Sequence, residues 1–209
     1  MNGLLIIGAG GHGKVIVDTA LVLGWTNLAF LDDRADALGS VLGVPVVGKL
    51  INLAEFAPAY RHAVVALGEA KRRLAMTQRC RETGLGLVSL IHPTAYVSRF
   101  ASVGTGCAVL AQSAISAGAR IGVACIVNTG ATVDHDCAIG DGAHVCPGAH
   151  LGGNVRVGDR SWIGIAASVR QGITIGSDVT VGAGAVVIGD VTDGATVIGV
   201  PAKERHRSP

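Results

Sequence analysis

Aliphatic residues in the second half of the chain recur with a period of six. From Ile91 the series runs Val97, Val103, Val109, Ile115, Ile121, Val127, Val133, Ile139, Val145, Leu151, Val157, Ile163, Val169, Ile175, Val181 and Val187 without a miss. The fourth residue after each is usually small, as in Ala95, Ala101, Cys107, Ser113, Ala119, Cys125, Ala131, Cys137, Ala143 and Ala149. A helix repeats every 3.6 residues and a strand every two, so a period of six fits neither alone. It fits very short strands joined by tight turns. The aliphatic and the small residue both point inward, and glycine, Asp and Asn supply the turns. Hexapeptide repeats of this kind build parallel β-helices. The unbroken register predicts a prism without inserted loops between 91 and 187.

The first ninety residues follow other periods. Residues 4–7 read as a buried strand, 14–23 as a helix and 28–31 as a second strand. Gly8-Ala9-Gly10-Gly11-His12-Gly13 joins the first strand to the helix, and Asp32-Asp33 closes the second strand. This spacing is that of a nucleotide-binding turn, whose glycines let backbone N–H groups approach a phosphate at a helix N-terminus. Further strands are expected at 44–47, 63–67 and 87–91, with a helix over 69–83. The unit is too short for two mononucleotide-binding halves, which argues against a dehydrogenase. The predicted organisation is a small Rossmann-like α/β domain over 1–90 followed by a parallel β-helix over 91–209.

Composition narrows the class. Hydrophobic residues make up 49% and charged residues 15% of 209, which excludes a disordered chain. Glycine, 31 residues, is far below the one in three of collagen. No apolar run reaches the roughly 18 residues that span a bilayer. The start lacks the cationic region of a secretory signal, so a cytoplasmic protein without membrane insertion is expected. A net charge of +2 gives no reason to expect nucleic acid. The basic clusters at 71–73 and 203–207 read first as solvated surface. Five cysteines without a C-x-x-C spacing suggest neither a disulfide framework nor a zinc knuckle, and Cys107, Cys125 and Cys137 fall on the inward register.

The chain as a whole resembles the sugar acyltransferases of the sialic acid O-acetyltransferase and bacillosamine N-acetyltransferase group, including the perosamine N-acetyltransferases. The resemblance rests on Gly8-Ala9-Gly10-Gly11-His12-Gly13-Lys14, Leu31-Asp32-Asp33, Ile91-His92-Pro93, Asn128-Thr129, Val133-Asp134-His135-Asp136-Cys137, His144-Val145, Gly152-Gly153-Asn154-Val155 and Gly199-Val200-Pro201-Ala202-Lys203. It implies a left-handed β-helix of between five and six coils, with three hexads to a coil. It also implies a nucleotide-linked sugar in the first domain, and acetyl-coenzyme A held between neighbouring subunits of a homotrimer. Gly68-Glu69-Ala70 departs from the Gly-Asn-Asn or Gly-Asp-Asn often found there in the family.

Acetyl transfer from a thioester needs a neutral amine or an activated hydroxyl, and an imidazole near neutrality can take its proton. His135, on a turn between two carboxylates, is the candidate base. The resemblance assigns the orienting carboxylate to the preceding Asp134, His144 to the thioester carbonyl, and Asn128 to a polar contact with substrate or His135. Backbone N–H groups near Gly152 and Gly153 are candidate oxyanion donors. Gly164, Gly182, Pro201 and Lys203 are candidate coenzyme A contacts. Gly10, Gly11, His12, Gly13, Asp32, Asp33 and Arg73 are candidates for the nucleotide sugar. A nucleotide-linked 4-amino sugar is the expected acceptor, for surface-glycan or glycoprotein sugar synthesis, with a sialic acid hydroxyl as the alternative. Two other readings are a metalloenzyme like the γ-class carbonic anhydrases, using His135, His144 and His150, and a non-catalytic sugar-nucleotide scaffold. The expected metal content is none.

Overall fold

The structure, a computed structural model, describes residues 3–205. It opens with β1 (Leu4–Ile7), α1 (Gly11–Val22), β2 (Leu28–Leu31), α2 (Ala35–Leu38), β3 (Ser40–Val41), β4 (Val44–Gly48), α3 (Leu53–Tyr60), β5 (His62–Val65), α4 (Ala70–Glu82) and β6 (Gly86–Leu87). These strands form one sheet in the order β3-β4-β2-β1-β5-β6, parallel except for the β3–β4 hairpin. β1, β2 and, after His62, β5 are apolar throughout because the sheet is covered on both faces, which is the rule for parallel sheets. Leu4, Ile6 and Phe30 pack toward α1; Leu5, Ile7 and Leu31 pack toward α3 and α4.

The single strand expected at 87–91 is two. The Val88 amide still bonds the Ala63 carbonyl of the sheet, whereas the Leu90 amide bonds Cys107 of the prism. Between them the Ser89 side chain already belongs to the prism, donating to the Gly104 carbonyl and accepting from the Cys107 amide. From Leu90 onward the chain winds into a left-handed parallel β-helix of two-residue strands. Face 1 begins at Leu90–Ile91, face 2 at Tyr96–Val97 and face 3 at Ser102–Val103. Each face gains its next strand 18 residues on, as in Ala108↔Ile126, Ala114↔Thr132 and Arg120↔Ala138.

The second residue of each pair fills the prism. Val109, Ile115, Val127, Val133, Val145 and Ile163 are all essentially buried, stacked with Cys107, Cys125 and Cys137 in the small positions. Left-handed backbone falls three residues after each aliphatic from Val103 to Val181, at Gln112, Ala124, Asp136, Asn154 and Arg160 among others as well as at glycines. The glycines directly after the aliphatic serve another purpose. A Cβ on Gly164 would lie 2.5 Å from the Val181 carbonyl oxygen, so Gly164 is there for close approach between coils. The hexad rhythm ends after Val187, and Lys203–Glu204 returns antiparallel to Thr196–Ile198.

The domains share a core. Leu90, Ala108 and Leu110 on the lower part of face 1 pack with Ile16, Val17 and Ala20 of α1 and with the sheet. The upper part of face 1, carrying Ile126, His144 and Trp162, rises from that seam.

Candidate active site

The glycine turn and the ends of β1, β2 and β5 enclose a cleft of about 480 Å³ lined by Gly8, Gly10, Gly11, His12, Asp32, Asp33, Arg34, Gly68 and Arg72. It sits outside the carboxyl ends of the parallel strands, where open α/β sheets bind ligands. Gly10 and Gly11 have open space where a Cβ would stand. Gly13 does not face the cleft. Its missing Cβ would strike the Gly8 carbonyl oxygen, so Gly13 allows α1 to lie on β1 and is a packing residue rather than a ligand contact.

Asp32 also differs from the expectation. Its carboxylate accepts from the Ala9 amide (2.8 Å), the Arg34 amide (2.9 Å), Arg34 Nε (2.9 Å) and Arg34 Nη2 (3.1 Å). The Arg34 bonds hold its pKa down at about 2. Asp32 therefore shapes the turn, and the free acidic group at this end of the cleft is Asp33, which accepts weakly from the Leu50 amide (3.3 Å) and lies 3.6 Å from Arg72.

Arg73 is a third departure. It is 1% exposed, and its donors go to the carbonyls of Leu67, Gly68, Ala124 and Gly142. It lies beneath the cleft as a strut between the domains, while its neighbour Arg72, which the sequence offered only as solvated charge, lines the cleft.

His135 stands on the edge between faces 2 and 3, more than half exposed. Its Nδ1 pairs with Asp136 Oδ2 at 2.9 Å. That bond, reinforced by the charge of Asp134, raises the imidazole pKa. The orienting carboxylate is thus Asp136 and not Asp134. The short Asp134 side chain turns back to accept the His135 amide at 2.7 Å, and the left-handed backbone of Asp136 brings its carboxylate round to the ring. The ring lies over Gly153 one coil above, where a Cβ would run into it. The Gly152 amide bonds the Val169 carbonyl, so it is not available as an oxyanion donor.

His144 is on face 1, 8% exposed, packed edge-on against Trp162 with ring centroids 4.3 Å apart. Asn128 Nδ2 donates to its Nε2 at 3.0 Å, while Asn128 Oδ1 accepts the Thr129 amide. The imidazole proton therefore belongs on Nδ1, which is buried and has no partner. Burial first, then the charges of Arg73 and His12, push the His144 pKa down to about 3. His12 is similar: its Nε2 is buried without a partner, and burial and Arg73 lower its pKa to about 4. Both rings are neutral at physiological pH.

The structure brings Asn128, His144 and His12 to one seam. It does not bring His135 to them within a chain, because the edge between faces 2 and 3 is opposite face 1 of the same prism. His150 lies on face 2, bonded to Thr132. The three histidines of the metalloenzyme reading do not converge in one chain. Asn128, Gly164 and Gly182 stack along the edge between faces 1 and 2, beside the exposed Ile165 and Val200. Pro201 and Lys203 line the open end of the prism, in a depression of about 420 Å³. Residues 206 and 207 of the basic tail lie outside the described residues. Among the described residues no helix is long and apolar enough to cross a membrane.

Comparisons with known proteins agree with this architecture. Residues 3–80 match the PglD N-terminal domain, and residues 154–189 match the bacterial transferase hexapeptide repeats. The UDP-N-acetylbacillosamine N-acetyltransferase of Bacillus subtilis (strain 168) is 37% identical over 123 residues, an alignment covering 53% of this chain and 52% of that protein. Among solved structures, the acetyltransferase domain of PglB from Neisseria gonorrhoeae FA1090, in complex with acetyl coenzyme A, is 46% identical with a TM-score of 0.94, over 98% of this chain and 100% of that one. A histidine-to-alanine mutant of GDP-perosamine N-acetyl transferase from Caulobacter crescentus, in complex with CoA and GDP-perosamine, is 42% identical with a TM-score of 0.95, over 99% of this chain and 98% of that one. A PglD-type domain fused without interruption to a hexapeptide prism, matched end to end at this identity, places the chain in the family of the bacillosamine and perosamine N-acetyltransferases.

Proposed function

We propose that the protein transfers the acetyl group of acetyl-CoA to the amine of a nucleotide-linked 4-amino sugar, in the synthesis of a bacterial surface-glycan or glycoprotein sugar. The observation that carries the reading is the exposed His135 imidazole, held by Asp136 with its pKa raised: a base already oriented and wet on one side. Residues 1–90 hold the nucleotide sugar in the cleft at Gly10, Gly11 and Asp33, and residues 91–209 carry the transfer.

In this reading His135 Nε2 takes a proton as the amine attacks the thioester carbonyl carbon. A C–N bond forms, the carbonyl becomes an oxyanion, and its collapse breaks the C–S bond; the coenzyme A thiolate leaves and takes the proton that His135 accepted, so coenzyme A departs as the thiol and the imidazole returns to neutral. The unpartnered His144 Nδ1–H, buried in the free chain, becomes the donor for that oxyanion when binding opens the seam over it.

Because His135 and His144 occupy opposite sides of one prism, the site is completed by a second copy. The edge bearing His135 meets the neighbour's edge bearing Asn128, Gly164 and Gly182, with the coenzyme A arm between them and Lys203 at its charged end. When both edges of every copy are used this way, face 2 turns inward and the closed solution is a homotrimer. The test is a panel of nucleotide 4-amino sugars and their 4-hydroxy counterparts with acetyl-CoA, read by thiol release. Turnover with an amine and none with the hydroxyl is the expected result; turnover with hydroxyl acceptors alone would replace this reading by O-acetyl transfer.

A further inference from the structure

Arg73 is buried at 1% exposure and faces no carboxylate at bonding distance. Its Nε donates to Ala124 O (2.8 Å) and its Nη2 to Gly142 O (2.5 Å), both on the prism edge between faces 3 and 1. Its Nη1 donates to Leu67 O (2.8 Å) and Gly68 O (2.7 Å), which belong to the loop at the end of β5. Leu67 and Gly68 line the nucleotide cleft, and Gly142 lies two residues before His144. One guanidinium fork thus ties the cleft wall to the turn that feeds His144. Nearby Glu69 does not neutralise it, since the Glu69 carboxylate is exposed and caps α4 through the Lys71 and Arg72 amides.

A buried cation without a paired anion is costly, and the first turn of a helix is an unfavourable place for one. An apolar side chain would fill the space but leave the carbonyls of Leu67, Gly68, Ala124 and Gly142 without these donors, so the guanidinium fork meets a need that packing alone does not. What the charge and fork do here is visible in their surroundings. Two imidazoles, His12 from α1 and His144 from face 1, each carry a buried nitrogen with no partner, and both lie close enough to Arg73 to feel its charge.

We propose that Arg73 is a positioning residue that locks the wall of the nucleotide cleft to the prism turn leading into His144, so that His12 beside the cleft and His144 in the seam keep a fixed placement. This rests on the proposed transfer reaction, but the geometry it predicts can be read without turnover. Arg73 itself touches neither substrate. It acts through the two rings, and its fixed charge opposes protonation of both. The other groups facing them are few. His144 meets Asn128, Trp162 and His12, and Arg73 also senses Glu69, Cys107 and Cys125. Burial is the larger cause of each ring's lowered pKa and Arg73 the next.

Two variants separate charge from fork. Arg73→Met keeps the apolar stem and removes the cation; Arg73→Lys keeps a cation and loses the four-carbonyl fork. Ring-proton titration of the histidines by NMR should show His12 and His144 charging at higher pH in Arg73→Met than in wild type, with the exposed His135 unmoved. In Arg73→Lys the same titrations should stay near wild type while kcat falls about tenfold or more, as for a misplaced reacting group, and the coenzyme A affinity holds. Should Arg73→Met not fold, Arg73→Lys carries the test through this kcat-against-affinity split. If folded variants show unchanged histidine titrations and unchanged kcat, losing only thermal stability, Arg73 is a packing residue and the proposal fails. A wild-type enzyme inactive on every amino sugar, with the histidine titrations still shifted in Arg73→Met, would instead refute the reaction while leaving the coupling intact.

Discussion

At the scale of single residues, the account turns on which carboxylate serves His135. Asp136 bonds the ring and Asp134 bonds the backbone, so their amide variants should part company. Asp136→Asn removes the main cause of the raised pKa. The base must be neutral to act, so kcat/KM declines as pH falls through the His135 pKa. In Asp136→Asn that acid limb should move to lower pH, with a reduced plateau because the ring is less well held. Asp134→Asn should move the limb less, since Asp134 acts on the ring only through its charge. Equal shifts in a pH–rate comparison of the two variants would mean the ring changes partner during the reaction. His135→Ala should lower kcat by roughly 10² to 10⁴, the usual range for a positioned base.

At the scale of elements, the prism was written in the sequence to a degree that the α/β domain was not. Each hexad contributes the same inward aliphatic, so seventeen repetitions of one choice reveal the register, and with it the turn position of His135 and the burial of Cys107, Cys125 and Cys137. The α/β domain offers each signal once. The β3–β4 hairpin and α3 leave only short, mixed patterns, and α3 even carries Pro58. The destinations of side chains were less legible still. Whether Arg73 or Arg72 faces the cleft depends on a step of about 100° around α4, and whether Asp32 or Asp33 is the free carboxylate depends on the bonds Asp32 makes to Arg34. Charge in a sequence does not state its partner. The glycines of the two motifs likewise divide only in three dimensions. Gly153→Ala should displace the His135 ring and depress kcat while leaving the fold intact, because the obstacle is a side chain at an exposed edge. Gly13→Ala should instead lower the melting temperature, because the obstacle is the backbone carbonyl of Gly8. Thermal melts run beside single-turnover rates distinguish the two.

At the scale of the whole molecule, the seam between the domains sets the acid stability. His12 and His144 have folded pKa values of about 4 and about 3 against 6.5 for the free ring. The unfolded chain therefore takes up protons first as pH falls below 6.5, and stability conferred by the neutral rings is lost from there downward toward pH 3. His144→Asn should flatten the decline of melting temperature over that window; an unchanged slope would mean the ring is solvated in solution. The same seam faces away from His135 in its own chain, which makes shared sites the central claim. The direct test mixes two inactive chains, His135→Ala with an intact cleft and Gly10→Trp with an intact base but a blocked cleft, by co-expression. Native mass spectrometry confirms that mixed oligomers form. With each site drawing its base from one copy and its cleft from the next, an equal mixture should recover about a quarter of wild-type acetyl transfer. Mixed oligomers that transfer no acetyl group would place base and cleft in the same chain and contradict the account.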